Sequence, residues 1–330
     1  MFLRDLLGFA RILIVALGAI WAGLALYLDF PSHAAGIILA AAVVILTAAA
    51  LICVRSQALA TGLCAALFAI VLAWWLTLAP TSDRPWLPDV AQTPWAEVQG
   101  DEATIHNVRN FDYTAETDYR VHWETRTVNL SRIRGIDLFM NYWGSPSIAH
   151  TSLSFDFGAS PPVAISIETR KTIGQSYSAL LGFFRQYELI YVIADERDVI
   201  RLRTNYRHGE DLYLYHTKAT PAHARAVLVD YLKTANYLHR HPQWYNALTS
   251  NCTTNVMPHL MADTGTRIPW DWRILLNGHA DEMAYEQGRL VGDLPFHELK
   301  RRAHINDAAM AADQAPDFSH LIRVGRPGFE

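Results

Sequence analysis

Apolar residues are distributed so unevenly that they divide the chain into two parts. Three apolar runs without a charged residue come first, at residues 12–28, 34–54 and 57–80. Each is close to the roughly 20 residues that an α-helix needs to cross a bilayer. We therefore predict a membrane anchor of three helices over residues 1–80. The alternative interpretations are a signal peptide for the first run or a buried helical hairpin.

The basic residues around these runs predict their orientation. Arg4 and Arg11 precede the first run, and Arg55 lies between the second and the third. The link between the first and second runs, residues 29–33, has no Lys or Arg. The positive-inside rule then predicts a cytoplasmic N-terminus. Three crossings would leave residues 81–330 on the outer side of the membrane.

After residue 80 the pattern changes to short alternating segments. We predict a linker at 81–99, a folded domain at 100–310 and a loosely ordered tail at 311–330. Strands are predicted at 104–108, 119–128, 150–157, 163–169, 188–194, 199–204 and 211–216. Helices are predicted at 177–187, 221–237 and 253–262, and residues 130–142 fit either a strand or a short amphipathic element. The domain therefore contains both strands and helices.

Charge and cysteine content narrow the function. Residues 81–330 hold 25 Lys and Arg and 30 Asp and Glu, a mildly acidic balance without a basic stripe, so a nucleic-acid partner is not expected. Cys53 and Cys64 lie in the apolar runs and read as small hydrophobic residues. Cys252 is then the single thiol of the domain, and no disulfide can form within it. Such a thiol is either buried and inert or functional.

Cys252 directly precedes the predicted helix 253–262. A thiol at a helix start meets unpaired N–H groups and the positive end of the helix dipole, which favour the nucleophilic thiolate. A base for this thiol is available in His150, at the start of the predicted strand 150–157. Alternation puts Ser152 and Ser154 on the same face as His150.

A third residue would orient His150. If the strands 150–157 and 163–169 form a hairpin, Glu168 lies near His150 and its carboxylate would hold one imidazole nitrogen. A shift of register would bring Ser166 there instead. Glu168 could equally form a surface ion pair with Arg170.

Several motifs around these residues resemble the family named for the periplasmic domain of the Lnb-type lipoprotein N-acyltransferase. The resemblance covers about residues 83–300. The motifs are Ile148-Ala149-His150-Thr151, Ile165-Ser166-Ile167-Glu168-Thr169-Arg170, Phe184-Arg185-Gln186-Tyr187-Glu188-Leu189, Ala194-Asp195-Glu196-Arg197-Asp198, and Tyr245-Asn246 through Asn251-Cys252-Thr253-Thr254.

The resemblance implies a relation to circularly permuted papain-like enzymes, a class that includes lecithin:retinol acyltransferase-type enzymes and NlpC-type peptidases. In this class the histidine precedes the cysteine. The implied fold is α+β, an antiparallel sheet with helices. The three transmembrane helices that precede it are predicted from hydropathy alone. Cys252 would be the nucleophile and His150 the base.

The expected function is a cysteine acyltransferase of the bacterial inner membrane with a periplasmic catalytic domain. It would move an acyl chain from a membrane phospholipid through a Cys252 thioester to the N-terminal amine of a diacylated lipoprotein. N–H groups at the helix start and Asn251 would hold the oxyanion. The ester stores the energy, so no cofactor and no metal are expected. The alternatives are a phospholipase or thioesterase, a cell-wall peptidase, or a non-enzymatic membrane scaffold.

An acyl enzyme needs an apolar groove beside the nucleophile. The aromatic residues near the site in sequence are candidates to line it, although they could equally be core residues. They are Tyr142, Trp143 and Tyr245, with Phe183, Phe184 and Trp244.

Overall fold

A computed structural model of the chain describes residues 2–262, 271–274 and 276–329. These residues form two compact units. The first contains the chain up to Thr81 together with two short segments, Tyr177–Tyr187 and Trp244–Asn246. The second contains the rest of the described chain, including both His150 and Cys252.

The first unit is built from three apolar helices, and this confirms the prediction from hydropathy. They are α1 (Phe2–Asp29), α2 (His33–Cys53) and α3 (Gln57–Leu76). The Ser32 and Ser56 hydroxyls cap α2 and α3 by accepting from first-turn N–H groups. The stretch Asp5–Asp29 of α1, and the whole of α2 and α3, are long and apolar enough to cross a membrane.

A carboxylate at the end of α1 joins the pieces of the first unit. Asp29 accepts hydrogen bonds from the indole of Trp75 at 2.7 Å and from the amide of Gln186 at 2.6 Å. The guanidinium of Arg185 lies 4.0 Å from the ring centre of Trp75. Segment Tyr177–Tyr187 is thereby fixed to the ends of α1 and α3. It holds only a short 3-10 turn, Leu181–Phe183, so the predicted helix 177–187 is wrong.

The second unit is an α+β domain around one mixed sheet, which confirms the fold class. Its strands are β1 (Trp95–Gln99), β2 (Glu102–Arg109), β5 (Trp123–Asn129), β6 (Gly135–Trp143), β7 (Ala149–Phe157), β8 (Ser160–Arg170), β9 (Glu188–Ala194) and β10 (Glu210–His216). Two two-residue strands, β3 (Asp112–Tyr113) and β4 (Tyr119–Arg120), pair separately. The main order is β1-β2-β9-β8-β7-β6-β10, with β5 on β2. The pair β2–β9 is parallel, whereas the resemblance implies an antiparallel sheet.

Seven helices of the described chain belong to this unit. They are α4 (Glu196–Arg201), α5 (Pro221–Arg240), α6 (Cys252–His259), α7 (Ala280–Glu286), α8 (Phe296–Ala303), α9 (Asn306–Ala311) and α10 (Phe318–Leu321). Helices α5 and α6 pack against the strands through aromatic rings. Tyr231 of α5 meets Phe155 of β7, and His259 of α6 stacks on Tyr231 with 3.8 Å between ring centres.

The predicted strand 199–204 is wrong. This stretch continues from α4 into a π-helix, Leu202–Tyr206. Asp195 caps α4 by accepting from the Arg197 N–H, and the buried Asp198 binds Arg109 at 2.8 Å. Leaving a buried carboxylate without its cation would cost more free energy than two adjacent β-branched residues gain from being in a strand.

Both ends of the predicted domain extend further than expected. The predicted linker 81–99 contributes β1, which pairs with β2, and Val90 is buried in the core. The predicted tail 311–330 is also part of that core, since Phe318 and Ile322 are fully buried. Arg323 binds the buried carboxylates of Asp137 and Glu196, which ties the segment to the sheet.

Candidate active site

Cys252 is the first residue of α6, at the end where the helix dipole is positive. The sequence Asn251-Cys252-Thr253-Thr254 forms a capping box that fixes this start. The Asn251 side chain accepts from the Thr253 and Thr254 N–H groups at 2.9 Å, and Thr254 accepts from the Asn251 N–H. The cap does not use the N–H of Cys252. Cys252 forms no disulfide and is partly exposed.

His150 lies on β7 and is buried. The hairpin predicted from the sequence is present, because β7 pairs with β8 with Ser152 opposite Ser166. Because the strands are antiparallel, the same register places His150, two residues before Ser152, next to Glu168, two residues after Ser166. Their side chains are 3.2 Å apart, from Nε2 to Oε1. The predicted proximity of Glu168 to His150 is therefore confirmed.

Both residues that the sequence left open as the third member lie beside His150. The Ser166 hydroxyl is 2.6 Å from His150 Nε2 and donates to Glu168 Oε1 at 2.7 Å. Since Ser166 uses its proton on the carboxylate, it accepts from His150 Nε2–H. Glu168 also binds the buried Arg203 at 2.5 Å, so the Glu168–Arg170 pair is not formed. His150 Nδ1 is then the nitrogen left for the thiol.

The imidazole of His150 and the backbone N–H of Thr151 both act on the Cys252 sulfur and lower the pKa of the thiol. Burial lowers the pKa of His150, but the carboxylate of Glu168 outweighs this effect and raises the pKa to about 9. Burial raises the pKa of Cys252, but the hydrogen bond and positive charge of His150 bring it below its ordinary value. Between these pKa values the pair exists as thiolate and imidazolium.

Burial also acts on Glu168, whose pKa it raises. The charges of His150 and Arg203 outweigh burial and hold this pKa well below its ordinary value. Glu168 is therefore an anion at neutral pH. An anion held between Arg203 and His150 stabilises the imidazolium, and the imidazolium in turn stabilises the thiolate.

Asn277 is a further polar group at the thiol. Its Nδ2 lies 3.8 Å from Cys252 Sγ and donates to the Thr253 hydroxyl at 2.6 Å. Its Oδ1 accepts from the Ala149 N–H at 2.9 Å, next to His150 in the chain. Asn277 therefore connects the strand of the histidine to the helix of the cysteine.

A glycine makes this position of Asn277 possible. A Cβ at Gly278 would lie 2.2 Å from Pro146 O and 2.7 Å from Ile148 N, so the turn approaches the preceding loop as only glycine allows. The Gly278 N–H donates to Ser147 O at 3.0 Å, and the Tyr142 hydroxyl donates to Gly278 O at 2.8 Å. Tyr142 thus supports the turn from inside the core.

Some residues predicted for the site have other roles. The Asn251 side chain accepts from the N–H groups of the helix cap and donates to Ala247 O, so it does not face the thiol. Tyr142 is buried under the Asn277 turn and contacts Asp281, so it does not line an open groove. Tyr245 is buried in the first unit. Trp143 remains exposed at the end of β6.

Arg203 and Asn277 are the residues that sequence reasoning missed. Arg203 lies in the stretch read as a strand, and a π-helix orients it toward Glu168. π-Helical turns of this kind are frequent at functional sites. The dipeptide Asn277-Gly278 is a recognisable turn signal, but nothing in its sequence connects it to residues 252 and 150.

Residues 119–278 match the model of a protein family described as the Lnb N-terminal periplasmic domain. The matched part includes His150, Glu168, Cys252 and Asn277, and it confirms the resemblance found in the motifs. No curated protein and no solved structure matches the chain. The family match and the three apolar helices together indicate a membrane protein with a periplasmic domain.

Proposed function

We propose that this chain is a membrane-anchored cysteine acyltransferase of the bacterial inner membrane. It takes an acyl chain from a phospholipid and passes it to the N-terminal amine of a diacylated lipoprotein. The N-terminus lies in the cytoplasm and residues 81–330 lie in the periplasm. The observation that carries the proposal is the Glu168–His150 pair beside a thiol at a helix start, whose pKa His150 lowers.

The first half of the reaction forms a thioester. The Cys252 thiolate attacks the ester carbonyl, a C–S bond forms, and the C–O bond of the ester breaks. The His150 imidazolium gives its Nδ1 proton to the departing lysophospholipid oxygen. The Cys252 N–H at the helix start and the Asn277 amide, 3.8 Å from the sulfur, are the donors that we assign to the negative oxygen.

The second half transfers the acyl group. The lipoprotein amine attacks the thioester carbonyl, a C–N bond forms, and the C–S bond breaks. His150 now accepts the amine proton, which restores the thiolate–imidazolium pair. An amide is less reactive than the ester and the thioester that precede it, so the two reaction steps need no further source of energy.

A cavity at the C-terminal end of α6 supports a long acyl chain as substrate. It has a volume of about 430 Å³, and its lining includes Leu153 of β7, Leu260 at the end of α6 and Ala284 of α7. Leu260 follows Cys252 by eight residues, which is about 12 Å along a helix. An acyl chain, half the thickness of a bilayer core, is about 15 Å long. A chain bound at Cys252 and following α6 would therefore end in this cavity.

The proposal is tested with the full-length protein in phospholipid vesicles and a synthetic diacylated lipopeptide. Mass spectrometry follows both molecules, and Cys252→Ala is the control. We expect a lipopeptide heavier by one acyl chain, a matching amount of lysophospholipid, and neither product with Cys252→Ala. An acyl adduct on Cys252 should accumulate when the lipopeptide is left out.

Other outcomes would replace the proposal. Free fatty acid and lysophospholipid with an unchanged lipopeptide would identify a phospholipase. No change in either molecule, with cleavage of peptidoglycan peptides, would identify a peptidase. A Cys252→Ala protein with full activity would remove the cysteine from the mechanism, and inactivity toward all of these substrates would favour a scaffold.

A further inference from the structure

The segments that carry the candidate pair are unusually poor in charge. Residues 138–155 and 247–262 contain no Asp, Glu, Lys or Arg, although 55 of the 250 residues from position 81 onward are charged. These two segments include the end of β6, the start of β7 and the whole of α6. Among the described residues, these two segments therefore bring no ionised side chain of their own to the surface around His150 and Cys252.

Exposed apolar side chains occupy this surface. Each of the three site residues has one nearby in the chain: Ile148, which is 49% exposed, precedes His150, Leu248, at 58%, precedes Cys252, and Leu276, at 44%, precedes Asn277. Trp143 and Trp272 are also exposed. We call these five side chains the rim; they are Trp143, Ile148, Leu248, Trp272 and Leu276.

Backbone contacts bring parts of the rim together. The Gly278 N–H donates to Ser147 O, and a short 3-10 turn links Trp272 to Leu276. The turn of Leu276 therefore lies against the loop of Ile148. Single exposed apolar residues are common on soluble proteins, but a cluster of them around a reactive group marks an interaction surface.

We propose that the rim is a lipid-docking surface, which inserts into the outer face of the bilayer and lets ester-bearing lipids reach Cys252. The inference deepens the proposed function and rests on it for the lipid substrate. A bilayer is the favoured partner because the same chain carries three helices that could cross one. Three of the five rim side chains, Trp143, Ile148 and Leu248, lie in the two segments without an ionised residue, and tryptophan prefers the membrane interface.

The first test measures insertion and does not depend on activity. A chain with Cys53, Cys64 and Cys252 changed to alanine receives one new cysteine, either Ile148→Cys or the control Val324→Cys. Val324 is 54% exposed and lies outside the rim. Each is labelled with an environment-sensitive fluorophore and reconstituted into phosphatidylethanolamine and phosphatidylglycerol vesicles, with or without brominated acyl chains.

We expect brominated lipid to quench the label at position 148 and to leave the label at position 324 unchanged. Equal quenching at both positions, or none at position 148, would overturn the proposal. If the label at position 148 became shielded only when a lipopeptide was added, the rim would be a peptide surface and not a lipid surface. The quenching measured at positions 148 and 324 does not depend on whether acyl transfer occurs.

The second test connects insertion to catalysis. Ile148→Asp and Leu248→Asp are each compared with Val324→Asp on a vesicle-embedded phospholipid and on a water-soluble short-chain ester. We expect the ratio of the two rates to fall about tenfold in the rim variants only. Equal losses on both substrates would mean that the substitutions damage the site itself and would count against the proposal. An unchanged ratio would show that lipid does not enter across the rim.

Discussion

The charge of Glu168 is the feature whose removal tests the site most directly. The change Glu168→Gln keeps the size of the side chain and its place beside Ser166 and His150. It removes the negative charge that stabilises the imidazolium, and it leaves Arg203 with Glu210, 3.6 Å away, as its remaining carboxylate partner. An Arg203 charge no longer offset by Glu168 also disfavours a second positive charge on His150.

The structure gives the size of the effect. His150 has a pKa of about 9 in place of 6.5, although burial alone would lower it. That difference corresponds to about 3 kcal/mol in favour of the imidazolium. Without it the imidazole is neutral at pH 7, and the thiol loses the charge that lowers its own pKa. We expect the thiolate fraction at pH 7 to fall on the order of a hundredfold.

Alkylation of Cys252 by iodoacetamide across a range of pH from acidic to alkaline measures this fraction, because only the thiolate reacts. In the wild-type chain the rate should already be high well below about pH 8.5, the ordinary pKa of a thiol. In Glu168→Gln the rise should move up by about two pH units. Labelling is read at Cys252 by mass spectrometry, since the chain has two other cysteines.

A matched control separates the charge on His150 from the loss of a partner for Arg203. Glu210→Gln removes the other carboxylate near Arg203 but does not touch His150. Its alkylation profile should coincide with that of the wild type. If Glu168→Gln also kept the wild-type profile, Glu168 would not control the protonation of His150. The argument that Glu168 acts on Cys252 through His150 would then be refuted.

Three more predictions follow from named contacts. Asn277→Ala should lower kcat for acyl transfer by about 10²–10³-fold while the alkylation rate of Cys252 changes far less, because the amide acts on the oxyanion; equal losses would contradict this. Ala284→Phe should shift donor preference toward shorter acyl chains by filling the cavity, measured with donors of graded length, whereas Ala311→Phe on the surface should not. Phe318→Ala should destabilise the domain by about 3–5 kcal/mol, seen as a lower thermal transition, and an unchanged transition would show that the C-terminal segment is not part of the core.

Much of the sheet could be predicted because alternation is a local property of the sequence. Ser152 and Ser154 alternate with the apolar Leu153 and Phe155, and this pattern is sufficient to define the two faces of β7. The turn at Gly158 then limits the register to a few choices, and that limit is enough to bring Glu168 next to His150. The start of α6 is predictable for the same reason, since a helix cap depends on adjacent residues.

The rest of the site depends on contacts between distant parts of the chain. Arg203 reaches Glu168 from a π-helix, in a stretch whose β-branched residues favour a strand. Asn277 reaches Cys252 because Gly278 allows close approach to the loop of Ile148, a fact of packing and not of pattern. The C-terminal segment is predicted to be loosely ordered because it contains few large apolar residues besides Phe318 and Ile322. The core of the sheet nevertheless buries both of these side chains.

The distribution of charge around the thiol favours a lipid over a peptide as the substrate. Ionised groups lie on one side of the imidazole, where Glu168 faces Nε2 and is itself bound by Arg203. The thiol itself meets His150, the Thr151 backbone and the neutral side chains of Thr253 and Asn277. Cell-wall peptides carry charges that a protein must pair to bind them without a desolvation cost. The proposed reaction with an ester next to an acyl chain requires only a nucleophile, two donors and an apolar surface, and the described residues near Cys252 offer these groups.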